Sequence, residues 1–353
     1  MPLNIPCRIA LTFLLALAAA VLCVLLHTPL PWMIGPLVAT AIASVFRLPT
    51  HSWPPLRNAG QWTIGVVLGL YFTPQVAALV AQLWWAIALG IAWALGLGWL
   101  FGRWLHRGLM DGAPGTPEER RATSYFAGAI GGASEMTLLA ERAGARTDLV
   151  AAAHSLRLLM VTVLVPLAFG FSGLPAVDLG PPGPRHVDPG GLLLLAGATA
   201  AGAWLMARTG RANPWFMGPM LVAVGLTVGG IEWSALPQWL ANAAQLVIGV
   251  SLGVRFRAGF ARTAPRWLAF VAGGTLLMIV LCAAFAGLLA WATGLHPATL
   301  ILGTSPGGIA EMAITAKVLQ LGAPVVTVFQ ACRLVAVLMC VEPLYRWAYL
   351  RSD

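Results

Sequence analysis

Twelve apolar segments follow one another along the chain. They cover 9–26, 32–46, 58–74, 79–102, 123–141 and 149–171, then 190–207, 214–231, 236–254, 267–294, 298–316 and 323–345. Ile9 to Leu26 runs 18 residues without a charge, Leu79 to Gly102 runs 24, and Trp267 to Leu295 runs 29. About 20 such residues carry a helix across a bilayer, so the pattern predicts membrane-spanning helices. The run after Arg8 has the outline of a signal peptide, but its small-residue stretch Ala18-Ala19-Ala20 sits mid-run. It is read as a first spanning helix that stays. Composition points the same way. Charged residues make up 9% of the chain and hydrophobic ones 59%, whereas a soluble domain is about 25% charged. Lipid must therefore be the solvent for much of the surface.

The polar joints between segments carry an internal repeat. Trp32-Met33-Ile34-Gly35-Pro36 returns as Trp215-Phe216-Met217-Gly218-Pro219. Ile64-Gly65-Val66-Val67-Leu68-Gly69 returns as Ile248-Gly249-Val250-Ser251-Leu252-Gly253. Gly131-Gly132-Ala133-Ser134-Glu135-Met136 returns as Gly307-Gly308-Ile309-Ala310-Glu311-Met312, and Ser155-Leu156-Arg157-Leu158 as Ala331-Cys332-Arg333-Leu334. The offsets are 183, 184, 176 and 176, in unchanged order. A duplication explains this, with a first membrane repeat over 1–171, a Pro/Gly-rich linker over 172–189 and a second repeat over 190–353.

Charge then orients the halves. Basic joints lie near Arg47/Arg57 and Arg103/Arg107/Arg120/Arg121 in the first half, and near Arg208/Arg211 and Arg255/Arg257/Arg262/Arg266 in the second. Under the positive-inside rule equivalent joints face opposite sides, so the halves are inverted. Inversion needs an odd number of crossings per half, and each half has six segments. The fifth is the one expected not to cross, because it carries Gly-Gly and a glutamate. Treating 123–146 and 298–320 as re-entrant or broken leaves five crossings per half. Both termini are then cytoplasmic, and only Arg185 and Lys317 lie outside, with Arg157 and Arg333 at membrane depth. The expected fold is an all-α polytopic protein of two inverted repeats, each with about five spanning helices and one broken segment. Inverted repeats with broken helices are the construction of many secondary transporters.

The candidate chemistry sits in those broken segments. Glu135 and Glu311 follow their glycine pairs, Gly131-Gly132 and Gly307-Gly308, by one helical turn, which leaves room for a ligand or backbone beside the carboxylate. Ser134 accompanies the first. Arg157 and Arg333 each stand 22 residues after a glutamate, inside the next apolar segment. A charge at the bilayer centre costs about 2.5–3.5 kcal/mol on insertion scales, so these residues are substrate- or ion-binding candidates. The plainer alternative is a Glu–Arg pair that knits each repeat together. Gly35-Pro36 and Gly218-Pro219 are expected either to kink the second segment of each half or to end a half-helix there. Asn213, Gln61 and Gln245 are weaker candidates, suited to helix-to-helix hydrogen bonds. His154 lies one turn before Arg157, where it can join a polar network.

Other chemistries find little support. The net charge of +9 comes from scattered arginines and one lysine, which orient helices rather than bind nucleic acid. Five cysteines and six histidines form no ligand pattern, so no metal or cofactor is expected. No P-loop, nucleophile elbow or dinucleotide fingerprint is present, and the chain is not expected to be an enzyme.

The duplicated P-W-x-x-G-P and G-G-x-x-E-M elements, with the arginine that follows each, resemble the membrane AbrB family (the AbrB duplication family) over about 9–345. Members are labelled regulators of gene expression or ammonia monooxygenases. The second label implies metal ligands that this sequence does not supply. The family is named like a small soluble DNA-binding regulator whose hairpin domain is not visible here. It is similar to the cation–proton antiporter and anion transporter superfamily, which implies inverted five-crossing halves. One departure is Leu30-Pro31 where the second half has Asn213-Pro214, so the first-half site is expected to be less complete. The expected function is proton- or cation-coupled secondary transport of a small, anionic metabolite across the bacterial inner membrane, by alternating access at the repeat interface. The alternative is a membrane regulator that senses a ligand. Expected partners are the bilayer and a small-molecule or ion substrate, with room for a homodimer.

Overall fold

The computed structural model describes residues 4–110, 115–172, 186–210, 213–256 and 264–349. Most of the linker, including Arg185, lies outside the described residues. The described chain is helical: α1 Ile5–Leu25, α2 Pro31–Val45, α3 Pro54–Gly69, α4 Pro74–Gln82 and α5 Trp84–Leu105, the last continued by one π turn, His106–Met110. There follow α6 Pro117–Gly128, α7 Ala133–Arg142, α8 Thr147–Ser172, α9 Pro189–Arg208, α10 Pro214–Val228 and α11 Gln238–Gly253. The last four are α12 Pro265–Thr293, α13 Pro297–Thr304, α14 Ile309–Val318 and α15 Ala323–Tyr349.

Proline opens many of these helices, at a position where its missing N–H is not needed. Thr116 caps α6, its hydroxyl accepting from the Glu119 N–H at 3.2 Å, the first half of a capping box. Among the described residues six helices, α1, α5, α8, α9, α12 and α15, are long and apolar enough to cross a membrane. The bent pair α3–α4, which turns by 88°, makes a seventh if it counts as one span. This differs from the expected ten crossings. Helices α2 and α10 have 15 residues each, which at 1.5 Å per residue is about 23 Å, short of the roughly 30 Å hydrocarbon core. The apolar run 79–102 is also two helices, since Leu83 separates α4 from α5.

The chain forms two compact units, and neither is one half of the sequence. The first unit takes Met1–Gln82, Val163–Ala258 and Ala310–Thr327. Its helices meet reciprocally. Gly65 of α3 lies against the Phe216 carbonyl and Met220 N–H of α10, while Gly249 of α11 lies against the Met33 carbonyl and Leu37 N–H of α2. A β-carbon on Gly249 would stand 2.6 Å from the Met33 oxygen. Only glycine permits such backbone approach, the usual device of helices packed in lipid.

The Gly-Pro pairs belong to the same scheme. Helices α2 and α10 run through Pro36 and Pro219 without ending. Each proline sits within the first two turns, where few intrahelical bonds are lost. Gly35 admits the α1 backbone, since a β-carbon there would lie 2.7 Å from the Ala19 oxygen. Gly218 admits α9 at Gly202 in the same way. These pairs serve helix packing and mark no helix terminus.

The second unit takes Leu83–Thr162, Gly259–Ile309 and Val328–Asp353. Its core joins α5, α6, α7, the first part of α8, α12 and the later part of α15, with Phe101, Phe126, Met136, Trp267 and Tyr345 all buried. Trp93 stacks on Phe285 with ring centroids 4.7 Å apart, fixing α5 to α12. Tyr125 donates to the Val341 carbonyl at 2.8 Å, and the Trp267 indole donates to the Leu149 carbonyl at 3.1 Å.

Candidate functional site

Both fifth segments are interrupted at their glycine pairs. Helix α6 ends at Gly128 and α7 begins at Ala133; α13 ends at Thr304 and α14 begins at Ile309. Ala129 (ψ 138°) and Ser305 (ψ 148°) turn the chain out of the helix. A helix end leaves its last carbonyls without intrahelical donors, and in an apolar interior these need another source.

That source is the two arginines. Arg157, 3% exposed, donates to the Ala129 carbonyl at 2.8 Å and to those of Ala127 and Gly128 at 3.3 and 3.4 Å. Its Nη2 also donates to Nδ1 of His154 at 2.7 Å, while His154 Nε2 meets the Phe126 carbonyl at 2.9 Å. A carbonyl only accepts, so the imidazole proton is on Nε2 and Nδ1 is free to accept from the guanidinium. Arginine, histidine and four consecutive carbonyls thus close the end of α6.

The end of α13 is closed the same way. Arg333, 6% exposed, donates to the Ser305 carbonyl at 2.5 Å, the Gly307 carbonyl at 2.6 Å and Gln330 Oε1 at 2.6 Å. Gln330 Nε2 donates to the Leu302 carbonyl at 2.7 Å and to that of Ser305 at 3.2 Å. His154 answers to Gln330, Phe126 to Leu302, Ala129 to Ser305 and Arg157 to Arg333, each pair 176 positions apart. The glutamine amide reproduces the imidazole: an N–H for the carbonyl and a lone pair for the arginine. A cation at a helix C-terminus also meets the negative end of the helix dipole.

Among the described residues neither guanidinium bonds a carboxylate, so the Glu–Arg pairing considered from the sequence is not seen there. The Nε of Arg333 is buried without a partner among the described residues. Gly132 is the N-cap of α7, and Glu135, three residues on and half-buried, folds its carboxylate over it. A side chain at Gly131 would strike Met136 at 2.8 Å. The Ser134 side chain lies outside the described residues. In the second copy Gly307 supplies a carbonyl to the clasp, Gly308 precedes α14, and Glu311 occupies the matching first-turn position, 8% exposed.

Sequence reasoning found both arginines and noticed His154, but missed Gln330. The signal was present, since the 176-residue offset that pairs Arg157 with Arg333 carries His154 onto Gln330. The difference in residue type hid a shared hydrogen-bonding role.

Such a chain is a multi-helix membrane-type protein with two broken helices, each tied at its break by a buried arginine. A family model described as Transition state regulatory protein AbrB matches residues 32–349, and the chain belongs to this AbrB family. It is similar to "Putative regulator AbrB" of Escherichia coli (strain K12), at 26% identity over 89% of this chain and 88% of that protein. It is also similar to "Uncharacterized protein YhjN" of Bacillus subtilis (strain 168), at 24% identity over 89% of this chain and 86% of that protein.

Proposed function

We propose that the protein is a secondary transporter of a small anionic metabolite, built from two inverted repeats of the membrane with both termini in the cytoplasm. One observation carries the reading. Two helices end on buried arginines that no carboxylate among the described residues bonds, and a glutamate stands in the first turn after each break. Uncompensated buried positive charge favours an anion, and glutamates beside a broken backbone suit proton or cation coupling. The reciprocal meeting of α3 with α10 and of α11 with α2, and the clasps repeated at one offset, support a pseudo-twofold relation between the halves. Alternating access would then come from one bundle moving against the other.

A second reading, a membrane sensor acting on gene expression, draws on the name of the Escherichia coli relative. A thermal-shift screen of the purified protein against small carboxylates, phosphates and amines, followed by flux into proteoliposomes, separates the two. Transport predicts a ligand that raises the melting temperature with concentration and crosses the bilayer. Glu135→Gln and Glu311→Gln should fold but lose coupled flux. A stabilising ligand that is never translocated would instead favour the sensor.

A further inference from the structure

The second unit holds a feature that the broken helices do not use. A cavity of about 300 Å³ opens where α5 and its π turn meet the start of α6 and the end of α15, lined by Arg103, His106, Arg107, Arg121, Ser124 and Tyr349. The π turn widens the helix at His106–Met110 and brings Arg103 and Arg107, one turn apart, to one mouth with Arg121 of α6. Among the described residues none of the three arginines bonds a carboxylate, whereas Arg146 and Arg346 in the same unit are paired with Asp148 and Glu342. Glu118 and Glu119 begin α6 but do not line the cavity. Ser124 Oγ stands 3.4 Å from His106 Nδ1, adding a hydroxyl and an imidazole to the basic wall.

An apolar groove of about 430 Å³ lies along α5, α6 and α15, over Gly98, Trp99, Ile130, Val337, Val341 and Trp347. Tyr125 lines both spaces. Its hydroxyl is taken by the Val341 carbonyl, so it offers the groove only an aromatic face. Trp99, in the groove wall, also holds the Arg103 guanidinium over its ring at 4.7 Å. The cavity is therefore cationic, and the groove that shares its Tyr125 wall is apolar. A soluble anion would fill only the cavity.

We propose that this surface binds one anionic phospholipid, with its phosphate headgroup among Arg103, Arg107 and Arg121 and an acyl chain along the groove. Basic pockets between membrane helices suit such headgroups, and each arginine near a membrane surface adds about 1 kcal/mol of attraction to an anionic lipid. The proposal is independent of transport.

The test is native mass spectrometry of the full chain released from bilayers of equal phosphatidylglycerol and phosphatidylcholine. Wild type should retain phosphatidylglycerol preferentially. Arg107→Gln with Arg121→Gln should lower that preference roughly tenfold or more, and Val337→Trp, which obstructs the groove, should lower it with every arginine intact. Arg142→Gln, an exposed site outside the cavity, should leave it unchanged. Equal retention of both lipids would overturn the proposal, as would an equal loss in Arg142→Gln. Displacement of the lipid by millimolar inorganic phosphate would assign the cavity to a free anion instead. If the double variant fails to fold, Arg121→Gln alone carries the charge arm; if Val337→Trp does, the phosphate competition decides the groove.

Discussion

Arg157 Nη2 lies 2.7 Å from His154 Nδ1, and that bond fixes the state of the imidazole. With Nε2 spent on the Phe126 carbonyl, His154 is a neutral relay between a helix end and a cation. Gln330 fills the same role beside Arg333 without a titrating group. The histidine is thus used for its geometry, one donor and one acceptor on opposite edges.

The first prediction follows from that equivalence. His154→Gln should keep both hydrogen bonds and melt within about 1 kcal/mol of wild type, whereas His154→Ala should lose about 2 kcal/mol or more, because a buried carbonyl and an arginine donor go unmet. Thermal unfolding in detergent distinguishes them. Equal damage from both would mean that imidazole shape, and not hydrogen bonding, matters here.

The arginines themselves should tolerate no simplification. Arg157→Lys and Arg333→Lys keep a charge but replace a planar fork with a compact ammonium that cannot meet the same spread of carbonyls. Each should cost about 3 kcal/mol, near the value for losing charge-assisted buried bonds. Proteolysis and helicity of the variants measure this. A lysine variant as stable as wild type would show that charge alone holds the helix end.

Left-handed backbone positions make a third test. His27, Arg47 and Gln320 have φ of 52°, 62° and 52°, and their counterparts at the repeat offsets, Gly210, Gly230 and Gly144, have φ of 65°, 72° and 67°. A side chain in this region costs about 1–2 kcal/mol, and glycine gives back about half of that in entropy. Arg47→Gly and Gln320→Gly should therefore raise stability by about 0.5–1 kcal/mol. Leu30, the counterpart of Asn213, is also left-handed, yet it is fully buried. Leu30→Asn should destabilise, because burying an amide and losing apolar contact outweigh the relieved strain. Melting curves of the three variants give the signs directly.

Glycine-to-alanine exchange should change sign with place. At Gly65 and Gly249 an added methyl enters a neighbouring helix backbone, and overpacking of that kind costs about 1–3 kcal/mol. At Gly197 of α9 nothing lies within 4 Å, so alanine should gain up to about 1 kcal/mol of helix propensity. Parallel melts of Gly65→Ala and Gly197→Ala decide it; destabilisation of both to the same degree would deny the close approach its role.

Several features were legible in the residues alone because they depend on composition and spacing. The scarcity of charge demands lipid as solvent, and the paired motifs locate the breaks at Gly131-Gly132 and Gly307-Gly308. Arginines inside apolar segments attract notice because their burial is costly wherever they go. Other features were not legible. The partners of Arg157 and Arg333 are backbone carbonyls, which every residue carries and no letter of the sequence distinguishes; only the ends of α6 and α13, brought beside α8 and α15, select them. The roles of Gly35 and Gly218 depended likewise on which helix passes them. Gly-Pro suggested a break, but the neighbouring backbones of α1 and α9 make these glycines packing sites. The assembly of each unit from both halves was also decided in three dimensions. Apolar helices in lipid are sorted by close backbone contact and satisfied polar groups, and those depend on partners distant in the chain.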